Sequence, residues 1–127
     1  MSFFNPKSKA DIALKYFHKP PGYYNCAQAI YKTFQEEYQI TNEEIVDFAK
    51  YGNGKAQDGF CGAYFAALDL LKDKPQLAED FKSRFREKTD YLSCFDIRFN
   101  DTMSCKNLVK LAAHLLDEID PVKKETE

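Results

Sequence analysis

The sequence predicts an all-α protein: a single-domain bundle of five to six helices around a central apolar helix. Three observations carry this. Apolar residues recur at steps of three and four along the long segments, the period of one helical face. Asn25, Thr41 and either Ser104 or Thr102 stand where side chains cap helix starts. No segment shows a strong strand pattern.

The first helix is expected from Asn5-Pro6, a cap followed by proline in the first turn, to about His18. Ile12, Ala13, Tyr16 and Phe17 share one side of it, and Lys19-Pro20-Pro21-Gly22 stops it. Asn25 caps a second helix, whose face carries Ala27, Ile30, Tyr31, Phe34 and Tyr38, with Cys26 in its first turn. Thr41-Asn42-Glu43-Glu44 has the form of a capping box and opens a third helix, with Ile45, Phe48 and Ala49 inward and an end at Gly52.

A glycine loop follows, and Cys61 to Lys72 then reads as the central helix, apolar on every side, as a helix covered by several neighbours is. Pro75 opens a fifth helix with Leu77, Ala78, Phe81 and Phe85 inward and Lys82, Arg84, Arg86, Glu87 and Lys88 in solvent. Tyr91 to Met103 reads as a loop with room for a short turn of helix. Thr102 or Ser104 caps a sixth helix to about Ile119, with Cys105, Leu108, Ala112, Leu115 and Ile119 on one face.

The 127 residues are expected to form one domain, 1-127, with 1-5 and 122-127 frayed. Apolar residues make up 44% and the net charge is −2, so neither disorder, nucleic acid nor an anionic membrane is expected. The N-terminal residues lack a signal-peptide pattern and no apolar run is long enough to span a membrane, so a cytoplasmic location is the expectation. In a reducing compartment the four cysteines are less suited to structural disulfides. Their separations of 35, 33 and 11 residues match no zinc-finger pair, and there is no haem attachment motif.

Cys26, Cys61 and Cys105 each fall in the first turn of a predicted helix. Unpaired N–H groups and the helix dipole favour negative charge there. A thiol in that position is more readily a thiolate, the form that attacks disulfides and ligates soft metals. Cys94 is near enough along the chain to Cys105 to reach the same place. Four thiolates at one end of a bundle are consistent with this placement; any one of the cysteines is equally consistent with a small buried hydrophobe.

Asn25-Cys26-Ala27-Gln28-Ala29, the glycine loop leading to Cys61-Gly62-Ala63, the single Cys94, and Cys105 opening a Leu-rich helix together resemble the C_GCAxxG_C_C family of redox-active proteins. The resemblance runs from about Tyr24 to Ile119. Where the family has Gly-Cys-Ala-x-x-Gly, this chain has Cys61-Gly62-Ala63-Tyr64-Phe65-Ala66. A related domain occurs in split-Soret cytochromes, where the cysteines are associated with an iron–sulfur cluster. The resemblance implies a cysteine-based redox or metal site rather than a defined reaction, and through it the leading expectation is that Cys26, Cys61, Cys94 and Cys105 ligate an iron–sulfur cluster for electron transfer or redox sensing, with an unknown redox protein as partner. A homodimer is compatible with this.

Two other readings stay open. A metal-free thiol–disulfide oxidoreductase would use a pair such as Cys94 and Cys105. A structural zinc-binding interaction module would use all four thiols. His18 is read as a cation favoured at a helix end and His114 as exposed or edge-packed, rather than as metal ligands. Lys55 and Asp58 are read as keeping the glycine loop soluble. The aromatic residues, 15% of the chain, sit at core spacing.

Overall fold

Ser8 starts the first helix: in extended backbone its Oγ accepts the N–H of Asp11 at 3.2 Å, and α1 runs Lys9–Tyr16. This corrects the expected start at Asn5-Pro6. The computed structural model describes residues 8–51, 59–90, 97 and 103–120, so Asn5 and Pro6 lie outside the described residues. The helix also stops before His18, whose φ of 57° lies in the left-handed region.

The next two helices begin with reciprocal caps. The Asn25 Oδ1 accepts the Gln28 N–H at 2.8 Å, the Gln28 Oε1 accepts the Asn25 N–H at 3.0 Å, and α2 spans Cys26–Thr33. Thr41 and Glu44 repeat the device at 3.1 and 2.9 Å and open α3, Asn42–Asp47, which tightens into a 3-10 turn over Phe48–Tyr51. Two expectations change here. Tyr38 is not on α2, because the helix ends at Thr33 and turns follow. Ala49 is exposed rather than inward, since the 3-10 turn advances fewer residues per revolution than an α-helix.

Gly59, at φ 70°, turns the chain toward α4, Gly62–Leu70. Pro75 occupies the first position of α5, Pro75–Thr89, where its missing N–H leaves no helical bond unmade. The Ser104 Oγ accepts the Asn107 N–H at 3.2 Å and starts α6, Cys105–Ile119. No strand occurs among the described residues; Phe17 and Tyr24 form an isolated bridge between the chains entering and leaving the first turn.

The elements pack as one all-α domain. The apolar α4 lies against α2, α5 and α6, with Ala63, Tyr64, Ala66 and Ala67 buried. α6 shares this central place by touching α1, α2, α4 and α5, so it buries Val109, Ala113 and Leu116 in addition to the predicted stripe. From α5, Phe81 and Phe85 enter the core fully and meet Tyr64 at ring separations of 5.9 and 4.9 Å. Each such ring contributes roughly 1.5–3 kcal/mol by leaving water. Ile97 is fully buried and helical. No described helix is long and apolar enough to cross a membrane.

Candidate functional site: a thiol-lined cavity

Three helix starts meet at one place. Cys26 is the first residue of α2 and Cys105 the first of α6, each fixed by the capping residue before it. Cys61 stands at the cap position of α4 and makes no capping bond with its side chain. These three cysteines line a single cavity of about 50 Å³. Cys61 is buried, while Cys26 and Cys105 are half-buried.

Helix caps alone would not bring the thiols together; the packing of α2 on α4 does. Gly62 meets Cys26 so closely that a methyl group at Gly62 would stand 2.5 Å from the Cys26 Sγ and 2.9 Å from the Tyr51 carbonyl oxygen. Only a residue without a side chain allows this approach. Gly62, the glycine after Cys61, is thus the contact surface for Cys26.

The rest of the wall is mixed. Phe17, Gly62 and Leu108 supply apolar surface, and Asn25 and His18 supply the polar side chains. Asn25 is already engaged: besides its cap, its Nδ2 donates to the Ala49 carbonyl at 2.9 Å. His18 is exposed and its ring stacks on Phe17, with centroids 3.9 Å apart and planes at 22°. The N-terminal turns of α2, α4 and α6 border the cavity. Each dipole places partial positive charge toward that space. Among the described residues no three His, Cys, Asp or Glu side chains are grouped to hold one metal ion.

The residues singled out from the sequence therefore divide. Cys26, Cys61 and Cys105 come together. Cys94, Lys55 and Asp58 lie outside the described residues. His114 is exposed on α6, its Nε2 3.7 Å from Glu118, and lines no part of the cavity. His18 was passed over as a helix-end cation, yet it is beyond the helix and on the cavity wall. The signal for it was the short proline-glycine turn: such a turn sets the residues just before it beside those just after it, and Cys26 follows closely.

A family model described as "Putative redox-active protein (C_GCAxxG_C_C)" matches residues 24–119. That stretch contains all four cysteines and leaves out His18. No curated protein and no solved structure matches the chain.

Proposed function

Because the chain belongs to the C_GCAxxG_C_C family of redox-active proteins, we propose that Cys26, Cys61 and Cys105, with Cys94 as the fourth donor, hold an iron–sulfur cluster used for electron transfer or redox sensing. The observation that carries this reading is the single cavity lined by three cysteines from three different helices. When bound, the cluster supplies one-electron chemistry, and four thiolates are its usual donor set.

The protein's part is positional and electrostatic. Cys61 is 3% exposed and anchored at the start of a buried helix, so it is the fixed donor. Cys26 is held against Gly62, and Cys105 sits behind the Ser104 cap. Phe17 and Leu108 limit water at the sulfur atoms, and the three helix N-termini offset part of the thiolate charge.

Purification without oxygen, a visible spectrum, and iron, sulfide and zinc analysis test the reading. A brown protein containing iron and sulfide is expected. A colourless protein with one zinc would instead be a structural module, and a colourless, metal-free one with four titratable thiols would point to thiol–disulfide exchange. Either colourless result would sink the cluster.

A further inference from the structure

We infer that His18 is a positioning residue of the thiol site, its imidazole N–H donating a hydrogen bond to a sulfur atom of that site from the solvent side. The inference rests on the cluster reading above and extends it to a residue outside the family's matched segment, which begins at residue 24.

Four observations lead to it. His18 lines the same cavity as Cys26, Cys61 and Cys105. Of the two polar non-thiol side chains that the described residues place on that wall, Asn25 is committed to Gln28 and Ala49, whereas no hydrogen bond or ion pair among the described residues engages the His18 ring. The backbone position is fixed locally: the His18 N–H donates to the Tyr24 carbonyl at 2.8 Å, and φ is 57°, in the left-handed region. The ring face is set by stacking on Phe17, itself a wall residue. Imidazole carries at least one N–H in every protonation state, so the donor is always present.

A hydrogen bond to sulfur favours the reduced form, because the added electron raises the negative charge on the acceptor. The test uses the 127-residue chain reconstituted without oxygen with ferrous iron and sulfide, followed by redox titration. His18→Phe keeps an aromatic ring and removes the donor; His18→Gln keeps an N–H. Both must adopt the same backbone conformation, so its strain largely cancels between them. The expected result is unchanged iron and sulfide content in both, a midpoint potential shifted lower in His18→Phe, and a smaller shift in His18→Gln. Equal potentials in wild type and His18→Phe overturn the inference, as does a His18→Gln shift as large as that of His18→Phe. Loss of the cluster in His18→Phe alone replaces the donor role with direct ligation and also overturns it. Wild-type protein that takes up no iron and sulfide overturns the cluster reading, and the inference with it.

Discussion

The Gly62 backbone and the Cys26 Sγ occupy neighbouring space with no room for one more carbon: a methyl at Gly62 would come to 2.5 Å from that sulfur. The contact joins the starts of α2 and α4. Gly62→Ala is therefore expected to push Cys26 out of the cavity and to strain the Tyr51 carbonyl, which would be 2.9 Å away. Overpacking of this kind costs about 1–3 kcal/mol. Urea unfolding should show the lower stability, and iron content should fall further than that of an equally destabilised variant remote from the cavity.

Asn25 links the cap of α2 to the Ala49 carbonyl through bonds of 2.8 and 2.9 Å. Asn25→Ala should cost about 1 kcal/mol for the cap and about 1 kcal/mol for the second bond. Asn25→Asp keeps the cap oxygen and should lie between wild type and Asn25→Ala in thermal denaturation. In the cluster-free protein, Cys26 should be alkylated faster in Asn25→Ala, because the first turn of α2 frays.

At the opposite end of α6, the Asp120 Oδ2 accepts from both the Tyr38 hydroxyl and the Lys74 Nζ, each at 2.6 Å. The Asp120 side chain is 9% exposed and that of Lys74 39%. Asp120→Ala should lower stability by about 1–3 kcal/mol, since it leaves Tyr38 without its acceptor. Lys74→Met should cost less, about 0–1 kcal/mol, as expected for a pair with one partner in water. Thermal melts of both variants check the order.

Alkaline pH should destabilise the protein through Tyr31 and Tyr38. Burial pushes both hydroxyls well above the ordinary tyrosine range, and the hydrogen bonds to Asp69 and Asp120 push in the same direction. The folded state thus keeps protons that the unfolded state loses above about pH 10. The stabilisation is complete below that pH and declines as pH rises through the folded values. Unfolding midpoints measured from pH 8 to 12 should fall, and Tyr31→Phe and Tyr38→Phe should each flatten the decline. An unchanged slope in both would remove this origin.

The two cysteine environments predict different side effects of substitution. Cys61→Ser places a hydroxyl at a 3% exposed position and should cost about 1–3 kcal/mol. Cys105→Ser, at a half-buried helix start, should remain within about 1 kcal/mol of wild type. On the proposed reading, both should leave the reconstituted protein without iron and sulfide. Chemical denaturation of the metal-free proteins separates the stability effects from ligand loss.

What was legible in the chain was local. Asn25 and Thr41 cap the helices they were expected to cap, and of the two candidates Thr102 and Ser104 it is Ser104 that caps α6, because each bond joins residues three apart and needs no distant partner. The inward Phe81 and Phe85 and the exposed charges of α5 also follow from helical period alone. The misreadings arose where two local solutions competed. Asn5-Pro6 and Ser8 are both acceptable starts, and Ser8 makes the cap. Tyr38 continues the α2 spacing, but the chain has already turned, and its hydroxyl reaches Asp120 instead.

The family and the all-α class could be read from residue order, since both rest on short-range patterns of cysteines, caps and apolar steps. The meeting of Cys26, Cys61 and Cys105 at one cavity could not, nor could the arrival of His18 beside them. These depend on how closely α2 and α4 approach at Gly62, and on how α6 packs across both. Such approaches come from the burial of side chains far apart in the chain, and no local spacing encodes them.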